Sequence, residues 1–420
     1  MREQTVSTVG IEALGAYCGV ASITVRDVFQ GRGLNETRYD NLMMRQRSVQ
    51  MPWEDPVTNA VNAAGPVLDR LSPAERDSIG LLITSTESGL DYSKSIASYV
   101  HKYLGLSRHC RTLEVKQACY GATGALQLAT GYLASGQDPG TRALIIATDV
   151  NPMDERAKYA EPTTGHGAVA VLVGDQPDIL AMDRGAYGVY AFEVLDTARP
   201  TPDFDLYNAD LSLLSYLECL DEAFKAYARR VGPEVSFVDS FDYLAMHTPF
   251  AGMVRGAHRK MMRQFTKYSL KEIGVDFARR VAPSLVYMQD MGNLCSGSLY
   301  LALAGVAAAD SQASAQRARV GLFSYGSGCC SEFYSGVLGS AAHARSIEMD
   351  IPGALKRRRP LSFAEYERLV PMSRDTLVPR QKQRVDFSEW DRTIAFTGAS
   401  RPPLLVLEGV EDYHRVYEWR

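Results

Sequence analysis

Short apolar, β-branched runs recur along the chain and alternate with stretches of helical periodicity. This rhythm restricts the chain to an α/β layered fold. Residues 78–86 (Ser-Ile-Gly-Leu-Leu-Ile-Thr-Ser-Thr), 143–148 (Ala-Leu-Ile-Ile-Ala-Thr) and 167–174 (Gly-Ala-Val-Ala-Val-Leu-Val-Gly) read as buried strands. A new unit begins after Asp175. It carries a long amphipathic helix over residues 212–231, strands over 241–246 and 320–325, and a last apolar strand over 404–408. The halves 1–175 and 176–420 share a βα rhythm without a residue-level repeat. Residues 196–210, with Pro200 and Pro202, read as an irregular insert.

Composition excludes several classes. With 46% hydrophobic and 22% charged residues and a net charge of −4, neither nucleic acid nor a membrane is expected as partner. No apolar run reaches the roughly 18 residues of a membrane helix. The N-terminal Met-Arg-Glu-Gln-Thr-Val-Ser lacks a basic region followed by an apolar stretch, so no secretory signal is expected. The seven cysteines are scattered, without a disulfide framework or zinc spacing. No metal or cofactor is expected, and the expected compartment is the reducing cytoplasm. Basic runs at 356–360 and 379–384 read as solvated surface.

Four strand ends carry reactive residues. In Glu-Val-Lys-Gln-Ala-Cys-Tyr-Gly-Ala-Thr-Gly-Ala-Leu (114–126), Cys119 stands between an extended run and a helix over 122–132. The positive end of that helix favours thiolate and hence a nucleophile; the alternative is a small core cysteine. Glu87 closes the buried run 82–86, where desolvation raises a carboxyl pKa towards the range of a useful base; the alternative is a capping or solvated glutamate. His247, in Tyr-Leu-Ala-Met-His-Thr-Pro-Phe (243–250), ends an apolar strand and reads as catalytic or as hydrogen-bonded structure. After it comes a basic helix over 252–263. Its Arg255, Arg259, Lys260 and Arg263 suit a phosphate-bearing substrate arm, or form a solvated face. Asn293, in Gly-Asn-Leu-Cys-Ser-Gly-Ser (292–298), opens a helix over 299–309 as a carbonyl donor or a plain N-cap. Ser327 lies in Ser-Tyr-Gly-Ser-Gly (324–328), a loop whose backbone N–H, with that of Cys119, could form an oxyanion hole.

This set resembles the 3-hydroxy-3-methylglutaryl-CoA (HMG-CoA) synthase family of the thiolase superfamily, over nearly the whole chain. Glu87, Cys119 and His247 fall on the family's catalytic Glu, Cys and His. Glu-Pro-Thr-Thr-Gly-His-Gly-Ala-Val (161–169), containing Thr164, resembles its Pro-Thr-x-Gly-x-Gly-Ala-Val segment. Tyr120, Asp149 and Asp196 resemble its supporting active-site residues, and Asn293 and Ser327 match its Gly-Asn and Gly-Ser-Gly motifs. The implied fold is thiolase-like, two related layered αβαβα halves. The first supplies Glu and Cys, the second His and Asn.

Within the family, Glu-Asp-Pro-Val-Thr (54–58), the segment 252–263 and Tyr-His-Arg-Val-Tyr-Glu-Trp (413–419) resemble the polyketide β-branching HMG synthases. The resemblance implies two acyl carrier protein partners, an acetyl donor and a β-ketoacyl acceptor. Cys119 takes the acetyl group, and Glu87 deprotonates its methyl and returns a proton to the alkoxide. His247 and Asn293 hold and polarise the acceptor ketone, and water releases the HMG-like product. Arg255, Arg259, Lys260 and Arg263 would meet the carrier or its phosphopantetheine arm. The alternative is a primary-metabolism HMG-CoA synthase acting on the CoA thioesters acetyl-CoA and acetoacetyl-CoA. A ketoacyl carrier-protein synthase of the Cys-His-Asn type fits less well, because it lacks a carboxylate at Glu87. Superfamily relatives pair along a sheet edge, so a homodimer is expected, with 143–148 as an apolar edge strand needing cover.

Overall fold

The computed structural model describes residues 8–311, 317–397 and 402–420. Nine strands form one mixed sheet. They are β1 (Gly10–Tyr17), β2 (Ile79–Ser85), β3 (Arg111–Val115), β4 (Arg142–Val150), β5 (His166–Gly174), β6 (Leu180–Ala191), β7 (Tyr243–Met246), β8 (Arg319–Gly326) and β9 (Cys330–Leu338). Their lateral order is β7-β8-β9-β6-β1-β5-β4-β2-β3. Five helices bear on the site: α1 (Pro56–Leu68), α2 (Gly121–Ala134), α3 (Ala209–Val231), α4 (Ala251–Phe265) and α5 (Ser298–Ala309).

The repeat that residue identity hides is visible in topology. Outward from the middle, β1-β5-β4-β2 joins antiparallel, antiparallel, parallel. On the other side β6-β9-β8-β7 joins in the same sense. The two sets meet where Gly10 and Ile11 of β1 pair with Ala181 and Leu180 of β6. α1 packs on β1, β4 and β5, and α3 on β6 and β9; α2 lies on β2, β4 and β5, and α5 against β7 and β8. The layers are therefore helix, half-sheet, central helices, half-sheet, helix. α5 is apolar and buried on every side from Ser298 to Ala307, as a central-layer helix must be. Thr123 of α2 and Tyr300 of α5 share a hydrogen bond of 3.1 Å across that layer.

The strands expected at 78–86, 143–148, 167–174, 241–246 and 320–325 are β2, β4, β5, β7 and β8, with ends that shift by one or two residues. The strand expected at 404–408, Leu405–Glu411, runs three residues further than expected and is not the last, since His414–Trp419 follows it and pairs with it antiparallel. α3 begins three residues early because the Asn208 side chain accepts from the Leu211 N–H at 3.1 Å. The insert at 196–210 is not irregular: Thr197–Thr201 and Phe204–Tyr207 pair as an antiparallel hairpin.

A second expectation is overturned. Residues 143–148 are not an edge strand, because β4 is hydrogen-bonded to β2 on one side and to β5 on the other. The run is apolar because helices cover both faces of the sheet, as in buried parallel strands. The edges are β3 and β7.

The segments 54–58 and 413–419 meet in space. Asp55 Oδ1 accepts from the Val57 and Thr58 N–H groups and caps α1, both at 2.9 Å. Its Oδ2 accepts from Arg415 Nη1 at 2.9 Å and from the Tyr417 hydroxyl at 2.7 Å. The C-terminal strands are thus pinned to the N-terminal half. No described helix is long and apolar enough to cross a membrane. The N-terminal heptapeptide read for a signal lies outside the described residues.

Candidate active site

Cys119 stands in the tight turn between β3 and α2. Ala118 takes φ +44°, uncommon for a residue with a Cβ, and the Tyr120 N–H donates to the Gln117 carbonyl at 3.0 Å. Gly326, at the end of β8, presses on this turn. A Cβ there would lie 2.4 Å from the Gln117 oxygen and 2.5 Å from the Tyr120 nitrogen, so glycine is required. This contact brings the Ser327 loop against the nucleophile's turn.

The Cys119 thiol donates to Glu87 Oε1 at 3.2 Å. A second thiol, Cys295, completes a cluster in which one ligand atom from each of Glu87, Cys119 and Cys295 lies within 4.8 Å of the others. A hydrogen bond from Cys295 favours the Cys119 thiolate, but burial and the charges of Glu87 and Asp149 outweigh it and push the thiol up to about 12. The expected thiolate is therefore corrected: Cys119 rests as the thiol. A helix end acts as roughly half a charge, and a carboxylate in direct contact exceeds it. The same contact hands the proton an acceptor when sulfur attacks.

Glu87 lies two residues beyond β2. Its N–H donates to Asp149 Oδ1 at 2.7 Å, and its carbonyl accepts from Arg199 Nη1 at 3.1 Å. Asp149 Oδ1 also accepts from the Thr86 and Ser88 hydroxyls, each at 3.0 Å. Burial, then the Glu87 charge, pushes Asp149 up to about 8. Its contacts make it a holder of the Glu87 loop. His247, one residue beyond β7, occupies the place in the second half that Glu87 occupies in the first. Its N–H donates to the Phe323 carbonyl at 2.7 Å, and its carbonyl accepts from Tyr216 of α3 at 2.8 Å. Burial pushes the imidazole down to about 3, so it is neutral at ordinary pH. Its Nδ1 has no hydrogen-bond partner among the described residues.

Asn293 is not the N-cap of α5, a position held by Gly297 without a side-chain cap. Its Oδ1 accepts from the Cys295 N–H at 3.0 Å and from the Ser298 hydroxyl at 2.8 Å. That leaves Nδ2 to donate. Its backbone N–H donates to Thr163 at 2.8 Å and its carbonyl accepts from Gly165 at 2.8 Å, so the loop containing Thr164 fixes it. Thr164 itself donates to the Glu161 carbonyl at 3.1 Å. Asp196 accepts from the Tyr325 hydroxyl at 2.6 Å and from the Gly328 N–H at 3.0 Å, holding the Ser327 loop from below. The Tyr120 hydroxyl is turned to Glu332, 2.7 Å away, whose other oxygen accepts from Gln127 at 2.7 Å.

On α4, Arg255, Arg259, Lys260 and Arg263 are all exposed, and none has an ion-pair partner among the described residues. Met253, Val254, Ala257, His258, Met261 and Met262 form the buried face.

Sequence reasoning missed Arg199, Asp205 and the role of Cys295. Arg199 forks onto Asp205 at 2.6 and 3.1 Å and reaches Glu87 and the Ser88 hydroxyl at 3.1 Å. Only the folded hairpin brings it there, so no local signal exists for it.

A thiol, a carboxylate in contact with it, a neutral imidazole and an amide donor are the parts that an acyl-transferring, carbon–carbon bond-forming site needs. Comparison with known proteins agrees. Residues 6–178 match the hydroxymethylglutaryl-coenzyme A synthase N-terminal model, and residues 259–388 match the C-terminal one. The chain belongs to the hydroxymethylglutaryl-CoA synthase family. It is 44% identical over 419 residues to the polyketide biosynthesis 3-hydroxy-3-methylglutaryl-ACP synthase PksG of Bacillus subtilis, covering 98% of this chain and 99% of that one. The curacin biosynthetic pathway HMG synthase, solved in complex with apo donor-ACP, superposes with a TM-score of 0.92 at 46% identity, covering 98% of this chain and 100% of that one. The hydroxymethylglutaryl-CoA synthase of Enterococcus faecalis is 31% identical over 88% of this chain and 93% of its own length.

Proposed function

We propose that the protein is an HMG synthase of polyketide β-branching, acting on acyl groups held by carrier proteins. The observation that carries the chemistry is the 3.2 Å contact of the Cys119 thiol with Glu87. The likeness to PksG and to the curacin enzyme supports the carrier-bound substrates. Cys119 attacks the acetyl thioester of a donor carrier protein as Glu87 accepts the thiol proton; the donor carrier's thiolate leaves and takes that proton from Glu87, which is again a carboxylate. Glu87 next takes a proton from the acetyl methyl, and the enolate carbon adds to the β-ketone of the acceptor carrier's chain. His247, neutral, and Asn293, through Nδ2, hold the acceptor and donate hydrogen bonds to the developing alkoxide, which takes its proton from Glu87. Water then cleaves the thioester to Cys119 and releases an HMG-like carrier-bound product.

Asp149, Arg199 and Thr164 position these groups, while Asp196 and Ser327 shape the loop against the nucleophile. Tyr120 braces the turn through Glu332. The exposed cations of α4 begin eight residues after His247 and present a surface suited to an acidic carrier or its phosphate. The active site joins an N-terminal half, 1–175, to a C-terminal half, 176–420. The cytoplasm is the compartment that fits free thiols and carrier-protein substrates.

Intact-mass spectrometry tests the reading. A single acetyl adduct forms on Cys119 from acetylated carrier protein and is absent from Cys119→Ala. Acetylation and condensation with free CoA thioesters alone would instead make this a primary-metabolism HMG-CoA synthase.

A further inference from the structure

Cys295 has no part in the chemistry just described, yet it stands beside both the nucleophile and the base. One donor atom from each of Cys119, Cys295 and Glu87 falls within 4.8 Å of the other two, and Cys119 Sγ is 3.2 Å from Glu87 Oε1. Ligand atoms on a tetrahedron around zinc, at about 2.0–2.3 Å from the ion, lie about 3.3–3.8 Å apart. The cluster needs only small side-chain movements to reach that spacing. Each arm is also fixed from behind. Asn293 Oδ1 accepts from the Cys295 N–H at 3.0 Å, and Asp149 Oδ1 accepts from the Glu87 N–H at 2.7 Å. The three sit on separate chain segments, Cys295 and Glu87 each locked by its own backbone bond and Cys119 by the tight turn that Gly326 presses upon, which is the preorganisation a metal site requires.

We propose that Glu87, Cys119 and Cys295 bind one thiophilic divalent cation, of the zinc class, and that this cation reversibly blocks the enzyme. Two sulfurs and one carboxylate suit a tetrahedral, borderline-soft ion, whereas magnesium and calcium require six or more oxygens. Three protein ligands leave a fourth position for water or a ligand in the acyl channel. On binding, both thiols lose their protons to solvent and Glu87 coordinates as the carboxylate. The cation thus captures nucleophile and base together, and Cys119 cannot be acetylated. No electrons are transferred, so a chelator restores the site. High resting thiol pKa values do not oppose this, because a coordinated thiol is deprotonated by the metal itself.

Blockade rests on the proposed roles of Cys119 and Glu87, but binding does not, so the two are measured apart. Full-length protein, reduced and stripped with chelator, is titrated with zinc against a chromophoric competitor, and with cobalt(II) as a spectroscopic probe. We expect one tight equivalent, release of protons on binding, and thiolate-to-cobalt charge-transfer absorption in the near ultraviolet. Cys295→Ser should weaken zinc binding at least about tenfold and reduce the charge-transfer band. Cys295→Ala is the second variant, and unchanged thermal unfolding of either shows that the fold is intact. Zinc should prevent acetylation of Cys119, and chelator should reverse it. Binding unchanged in both Cys295 variants would overturn the proposal and point to other thiols, such as Cys219 and Cys329, 3.6 Å apart. No binding at micromolar zinc would overturn it too. Tight binding with unimpaired acetylation would overturn the blockade and the assigned role of Cys119, while leaving the binding site in place.

Discussion

The contact between Cys119 and Glu87 makes the two steps of the reaction separable. Glu87→Gln removes an anion that holds the thiol at about 12, so the Cys119 pKa falls. Acetylation in this variant should persist, with its pH profile moved to lower pH. Condensation, which needs a proton acceptor at the acetyl methyl, should fall by on the order of 10²–10⁴. Single-turnover mass spectrometry distinguishes the steps, and acetylation lost as completely as condensation would mean that the proton transfer from Cys119 to Glu87, or the fold, is all that the substitution removes. His247 permits a stability prediction. Its folded pKa, about 3, lies below the ordinary histidine value of 6.5. Unfolded protein therefore binds a proton that folded protein refuses, and the stability present above pH 6.5 is lost as pH falls from 6.5 towards 3. His247→Gln should flatten that acid loss by up to several kcal/mol, as read by urea unfolding at both ends of the window. The same slope in wild type and variant would mean that the imidazole is not desolvated. Glu87 and His247 were legible because each follows a buried apolar run, and Cys119 because small residues follow it into a helix, patterns one sequence displays. The ionisation of Cys119 was not, since it depends on a carboxylate 32 positions away in sequence.

Elements were legible where a single period dominated. β2, β4 and β5 announced themselves as apolar runs, and α5 as an unbroken apolar helix. The hairpin at 197–207 did not, because its prolines and aspartates mimic a loop, and its pairing is secured by tertiary contacts such as the Arg199–Asp205 fork. The burial of β4 was misread as an edge because a run apolar on both faces gives no hint of its neighbours. α4 combines both kinds of evidence. Its buried methionines fix its orientation, and so its four cations face outward without an ion-pair partner among the described residues, while Lys260 Nζ donates to the Leu217 carbonyl at 3.1 Å. Arg259→Glu should weaken turnover with acidic carrier protein substantially more than turnover with a short pantetheine thioester. The loss should be larger at low salt, since exposed charges are screened beyond about 10 Å at 0.1 M ionic strength. Equal losses with both substrates would trace to the fold or to His247, and the docking role of this face would be withdrawn.

At the scale of the molecule, the two halves are joined through β1 and β6, and the last strands clamp the first half through Asp55. That closes the sheet everywhere except at its ends. β7 is a short edge of four residues. β3 is the more consequential edge, because the chain passes directly from it into the turn that carries Cys119. One side of β3 bonds to β2, and the other has no strand partner among the described residues. α2 lies on the same flank: Arg111 of β3 donates to the Tyr132 hydroxyl of α2 at 3.0 Å, and Leu128 of α2 is 65% exposed. An unpaired edge beside an exposed leucine is a surface that a second copy would cover. The expected homodimer therefore moves from β4 to β3, and its formation would brace the nucleophile's own turn. Sedimentation at micromolar concentration should give a dimer, and Leu128→Glu should shift it towards monomer and slow acetylation of Cys119. The exposed position means that the substitution costs the isolated fold little, so a monomer with full acetylation activity would separate assembly from catalysis. A wild-type monomer would remove the interface altogether and leave β3 as a protected edge whose charged Arg111 and Glu114 suffice to keep other strands away.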